Sequence, residues 1–209
     1  WGKSLLVEAE NSAGYSCLVQ GGLDGKASTE GGLLYEAADG AFALLRELLE
    51  AACQGVEGVR FEVAPPKGRE RAGKKARDSY GDRDPGPGLC WLYDIVRSSV
   101  YCDAGTGLKT VLEALAARPG VEVVKWKNRF KKPTPAGFRD VMVLVRLPAG
   151  GGRYFHVCEI QLHLAAVKAF DKEHDSHSHY EYFRDYFEGA METVDRRLAD
   201  LRAVVGDAA

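Results

Sequence analysis

The stretch "FRDVMVLVRLPAGGGRYFHVCEIQLHL", residues 138–164, constrains the chain more than any other. Two runs rich in β-branched and aliphatic residues flank a Gly-rich loop, the signature of a long antiparallel hairpin. In the second run, alternation puts His156, Cys158, Ile160 and Leu162 on one face and Glu159, Gln161 and His163 on the other. Three polar groups in a row on one side of an otherwise apolar strand require a physical reason. The first face can be core; the second must meet solvent, a partner or a ligand.

Upstream, "LLYEAADGAFALLRELLEAACQG" places Ala41, Leu45, Leu48 and Ala52 on one stripe at helical spacing, closing at Gly55. A short strand, "VRFEV", leads into "PPKGRERAGKKARDSYGD", a basic helical run with Lys67, Arg71 and Lys75 at successive fours. "LCWLYDIVRSSVYC" reads as a buried strand. In "GLKTVLEALAARPG", Leu108, Val111, Leu112 and Leu115 mark a helix stopped by Pro119 and Gly120. "VEVVKWKNRF" is the next strand, and a C-terminal amphipathic helix is expected over 179–205. This order predicts an α+β chain, a mixed sheet of about five strands flanked by helices, organised as a single domain over 1–209 with a helical region over 30–55.

The 209 residues carry a formal net charge of -2, yet the charge is unevenly placed. Residues 125–132, "KWKNRFKK", hold five cations and no carboxylate, and residues 67–83 hold seven basic against three acidic side chains. Segregation of this kind points to local anion sites rather than a general polyanion surface. Five scattered cysteines without a C-x-x-C pair argue against a disulfide framework and a thiolate zinc site, which fits a cytoplasmic or other reducing compartment. No apolar run is long enough to cross a bilayer, and the first residues lack a signal-peptide pattern. Trp1 is not an initiator methionine, which reads as a piece excised from a longer chain.

Asp94 and Glu159 stand out as carboxylates framed by apolar residues. Burying such a group costs several kcal/mol unless it meets a cation, a donor or a metal. Two of them brought together by a sheet form a hard-oxygen site suited to Mg2+; alternatively each is solvent-facing or paired structurally, as Asp94 with Arg97. Lys67, Arg71 and Lys75 are either triphosphate partners or a solvated basic face. Phe138, delivered to a strand start by "PTPAGF", is either core or a ring on which a base stacks. His174, His177 and His179 lack zincin spacing and read as a solvated helix start. No Gly-rich phosphate loop and no G-x-S-x-G elbow occurs.

The basic helix "KGRERAGKKA", the strand "YDIVRSSV", the segment "KNRFKKPTPAGFRDV" and the strand "EIQLHL" followed by "HYEYFR" together resemble the synthetase domain of the RelA/SpoT family, which makes alarmone nucleotides. The resemblance spans about residues 59–184. It implies a nucleotidyltransferase-like fold and a pyrophosphokinase. Mg2+ would be held by Asp94 and Glu159. ATP would be held by Lys67, Arg71, Lys75, Arg97 and Lys127. An acceptor, guanosine di- or triphosphate, would lie near Phe138, Arg139, Asp140, Gln161 and His163. The chain departs from the family pattern at Ser99, Asp140, Met142 and His163; three of these remove acceptor-side or supporting cations and Asp140 adds an anion. An RNA 3′ end is the alternative acceptor, and a catalytically silent nucleotide- or RNA-binding module the alternative function.

Overall fold

The computed structural model describes residues 21–22, 31–80, 88–134, 137–149 and 154–175, with residues 178, 199, 202 and 203 beyond them. The expected C-terminal helix over 179–205, with His177 and His179, lies almost wholly outside the described residues, and so does the centre of the "PTPAG" turn.

A two-residue strand β1 (Gly21–Gly22) precedes helix α1 (Gly31–Cys53), strand β2 (Val59–Ala64) and helix α2 (Arg69–Tyr80). A short 3-10 turn over Gly88–Trp91 leads to β3 (Arg97–Cys102), helix α3 (Gly105–Ala117), β4 (Glu122–Asn128), β5 (Val141–Ala149), β6 (Tyr154–Leu164) and helix α4 (Ala165–Glu173). The sheet runs β2-β3-β6-β5-β4, with β1 pairing β6 at its start. β3 and β6 are parallel and the other pairs antiparallel, so the sheet is mixed, as expected. Helix α3 carries the chain from β3 past two strand positions to the far edge. The meander β4-β5-β6 then returns, and the last of the described strands fills the middle.

One face of the sheet is dry. Val100, Val141, Val143, Val145, Cys158, Ile160 and Leu162 pack there against the α1 stripe of Ala41, Leu45, Leu48 and Ala52 and the α3 stripe of Leu108, Val111, Leu112 and Leu115, all in one core cluster. Each fully buried leucine of this kind stabilises by about 1.5–3 kcal/mol. The helices therefore coat one side, and the alternation read in β6 falls as expected.

On the opposite face, cross-strand neighbours follow from register: Arg97, Ser99 and Tyr101 of β3 lie beside Glu159, Gln161 and His163 of β6. Leu144 and Met142 of β5 lie on the other side of Glu159 and Gln161, with Lys125 and Lys127 of β4 beyond them. A small second cluster of Val124, Met142, Leu144, Phe155 and Val157, capped by Tyr93, closes one end of this face.

Two elements differ from expectation. "LCWLYDIVRSSVYC" is not one strand: the ladder starts only at Arg97, because the preceding residues leave the sheet plane to bury Trp91, Leu92, Ile95 and Val96. Helix α2 begins at Arg69, so Lys67 precedes it and does not share a helical face with Arg71 and Lys75.

Candidate functional site

The segment before β3 is fixed by burial of its neighbours, with Tyr93 on the second cluster and Leu92 and Ile95 in the main core. Two backbone bonds tie it down: Lys67 N–H donates to Ile95 O at 2.9 Å, and Glu159 N–H donates to Val96 O at 3.0 Å. Asp94 thereby stands at the lip of the polar face. Its Oδ2 accepts from Lys75 Nζ at 2.9 Å and, more closely, from Lys67 Nζ. Tyr35 of α1 donates to Lys67 O at 2.7 Å and steadies the approach.

Desolvation works to raise the pKa of the Asp94 carboxyl, but the two ammonium groups outweigh it and hold the group below the usual carboxylate range. Asp94 is charged at neutral pH. Burial lowers Lys67, whereas Lys75 is raised because Asp94 and its other neighbours outweigh its desolvation. Asp94 Oδ1 is buried with no hydrogen-bond partner among the described residues. An orphaned carboxylate oxygen is an acceptor in want of a cation or donor.

Glu159 sits on β6 directly beside Arg97, three residues past Asp94. Gln161 Nε2 donates to Glu159 Oε1 at 3.0 Å. The Glu159 carboxyl is pushed up, first by desolvation and then by the negative charge of Asp94, against the opposing pull of Lys75 and Arg129. The two carboxylates therefore feel one another. Among the described residues no group of three or more His, Cys, Asp or Glu gathers as a metal cage. A cation held here would take the two carboxylates and complete its shell from substrate or water, the pattern of hard divalent ions.

Rings line the other end of the polar face. His163 stacks on Tyr101 with centroids 5.6 Å apart and makes a T-shaped contact with Phe138 at 6.0 Å. Arg60 lies over Tyr101 at 4.8 Å. Lys168 of α4 and Arg129 approach the half-buried Phe138 ring at 5.0 and 5.8 Å. Burial, with Lys168 and Arg129 nearby, lowers His163 to about 4, so its imidazole is neutral at pH 7.

The remaining expected residues are placed as follows. Arg97 Nη1 reaches Pro65 O and Asp94 O, both at 3.4 Å, so its partner is the Asp94 backbone and not its carboxylate. The Asp94–Arg97 ion pair does not form. Lys127 projects from β4 on the polar face and is exposed; Arg71 is exposed one turn before Lys75. Arg139 donates back to Gly137 O at 2.9 Å, a local turn contact. Asp140, expected as an added acceptor-side anion, is fully buried and its carboxylate is taken up by Arg129, so it does not face a ligand. His174 caps the exposed end of α4, bonded to Phe170 O at 3.0 Å.

Arg129 and Lys168 are not legible in the sequence as site residues. Arg129 is one of five cations in its run, and α4 has no buried residue to reveal its phase. Cysteine chemistry is unsupported among the described residues: Cys53, Cys90, Cys102 and Cys158 are in no disulfide, and burial pushes the thiols of the first three up to about 11. No described helix is long and apolar enough to cross a membrane.

No protein-family model and no curated protein sequence matches the chain. Solved structures do. Small alarmone synthetase 1 from Bacillus subtilis, bound to its product pppGpp, superposes with a TM-score of 0.55 at 20% identity, covering 80% of this chain and 94% of that one. Small alarmone synthetase 2 from the same organism gives 0.54 at 18% identity, covering 73% and 81%. The chain has the alarmone-synthetase fold, in agreement with the resemblance read from its motifs.

Proposed function

We propose that this chain, with the alarmone-synthetase fold, is an ATP-dependent pyrophosphokinase whose acceptor is a guanosine di- or triphosphate. One observation carries the reading: Glu159, on the central strand, lies between two banks of cations. Lys67, Lys75 and Arg97 stand on the β3 side, and Arg129 and Lys168 on the β5-β4 side; Lys127, expected with ATP, stands on β4 with this second bank and is given to the acceptor in this reading. Two banks suit two polyanionic substrates meeting at one carboxylate. The related synthetase bound to pppGpp is consistent with that arrangement.

In this reading the acceptor 3′-oxygen attacks the β-phosphorus of ATP. A new O–P bond forms as the bridging bond to the α-phosphate breaks, and AMP leaves with the electron pair. Phosphoryl-type transfer depends on alignment and charge cancellation, so the protein supplies cations rather than a nucleophile. Glu159 takes the hydroxyl proton; its raised pKa strengthens it as a base, and Gln161 holds one of its oxygens in place. Asp94 and Glu159 would hold Mg2+, which when bound neutralises charge on the triphosphate. Phe138 offers a ring face to the acceptor base.

The silent-binding alternative draws on one feature, the neutralisation of Asp94 by Lys67 and Lys75 without any metal. Labelled ATP separates the two. With GDP and GTP present, wild-type protein is expected to form labelled pyrophosphorylated product, and Glu159→Gln to form none while still binding an ATP analogue. Equal product from both proteins would remove Glu159 from the mechanism, and no product from wild type with intact binding would leave a binding module.

A further inference from the structure

Arg129 lies one residue past β4, and the transfer step above gives it no task beyond general positive charge. Its Nη1 donates to both carboxylate oxygens of Asp140, at 2.8 and 2.9 Å, and its backbone N–H donates to Asp140 O at 2.8 Å. The exit of β4 and the approach to β5 are thus clamped together. The acid end of the pair is sealed, at 0% exposure, while the Arg129 side chain keeps 19%.

A guanidinium carries five N–H donors, and only those on Nη1 are used by Asp140. The donors on Nε and Nη2 make no hydrogen bond to a described residue. The guanidinium carbon lies 5.8 Å from the centroid of the Phe138 ring, which Lys168 approaches from α4. A buried ion pair is a poor device for stability alone, since apolar replacements of similar volume often do as well. As a receptor it is well made: Asp140 removes the rotamer freedom of a long side chain and leaves a rigid fork with donors to spare.

We infer that Arg129, held by Asp140 and joined by Lys168, is the receptor for the phosphate groups of the acceptor nucleotide. This rests on the proposed function. The sheet order assigns it to the acceptor and not to ATP, because the Lys67–Lys75 bank lies across β6 from it, on the far side of Glu159. Asp140, which reads in the sequence as an added acceptor-side anion, instead fixes a cation in place. It is a positioning residue, acting through Arg129.

Calorimetric titration of wild-type protein, Arg129→Met/Asp140→Asn and Lys168→Gln tests the inference, with GDP, guanosine and a non-hydrolysable ATP analogue as probes. The double variant removes both charges together, which spares the fold an unpaired buried carboxylate. Expected is a loss of GDP affinity on the order of tenfold in each variant, with guanosine and the ATP analogue changed less than about twofold. Asp140→Asn alone should also weaken GDP, and Arg129→Lys should recover only part of the affinity. Unchanged GDP affinity in the double variant overturns the inference. Equal losses for GDP and guanosine reduce the pair to ring support and overturn it too, and a loss confined to the ATP analogue overturns it by assigning Arg129 to the other substrate. Wild-type protein that binds GDP in this phosphate-dependent way yet forms no product refutes the transfer reading and leaves the receptor standing.

Discussion

Two imidazoles report on how dry the interior is. His156 is 0% exposed and burial alone lowers it to about 3; His163 falls to about 4. In the unfolded chain each takes up a proton near 6.5, so between 6.5 and these folded values the unfolded state binds more protons. Stability is fully present above pH 6.5 and is lost as pH falls toward 4 for His163 and toward 3 for His156. His156 alone contributes on the order of 4 kcal/mol to that loss. His156→Leu should flatten the acid limb of a urea-midpoint against pH curve; an unaltered limb would mean that His156 is solvated. Asp94 has linkage of the same sign, in a lower pH window. Its depressed folded pKa gives stability that is present above 3.8 and lost as pH falls through the lower folded value. Asp94→Asn should cost about 2–3 kcal/mol at neutral pH, less than a fully buried pair because Lys75 reaches solvent, with the gap to wild type closing below pH 3.8. Glu159, raised by desolvation and by Asp94, should titrate above its ordinary 4.5 in the metal-free protein, and Asp94→Asn should move that titration down, as read by carboxyl NMR.

Helix α2 and the 3-10 turn show how tightly elements are set around the site. A Cβ added at Gly88 would lie 2.6 Å from Ala76 O and 3.0 Å from Tyr80 O, backbone atoms that cannot swing away. Gly88→Ala should therefore push the turn off α2 and cost about 1–3 kcal/mol by chemical denaturation. Because Lys75 rides on α2, the same variant should weaken ATP-analogue binding while leaving GDP untouched. The helices α1 and α3 are legible because their apolar stripes repeat at helical spacing, and β6 because its alternation is strict. The segment around Asp94 is not, since Trp91, Leu92, Ile95 and Val96 are all 0% exposed. A run buried on every side has no period to distinguish strand from irregular chain. Asp94 and Glu159 are readable as isolated acids in apolar surroundings. The join between Arg129 and Asp140 is not, because the two stand eleven positions apart and the readable Pro-Gly turn between them does not say which side chains meet across it. Lys168 is hidden along with its helix, which buries nothing.

At the scale of the whole chain, a net charge of -2 coexists with two positive banks on one sheet face. Attraction of nucleotides is then local and screened. Raising salt from about 0.05 to 0.5 M should raise the KM for both substrates several-fold, as the Debye length shrinks. The urea midpoint should change little over the same range, because the core that sets it is apolar. Matching salt curves for binding and for stability would contradict a division of labour between the two faces.

The strand order has a consequence for how such a chain comes into being. β6 pairs with β3 and β5 at once, yet among the described strands it is the last to leave the ribosome. Until it arrives, β2-β3 and β4-β5 are two ribbons with unsatisfied inner edges, each a template for the wrong neighbour. Nascent chains stalled before residue 154 should be chaperone clients and protease-sensitive, and those released after residue 164 should not. Because Glu159 sits on β6, Asp94 and Glu159 meet only once the sheet closes, and the acidic pair cannot assemble on a half-made ribbon.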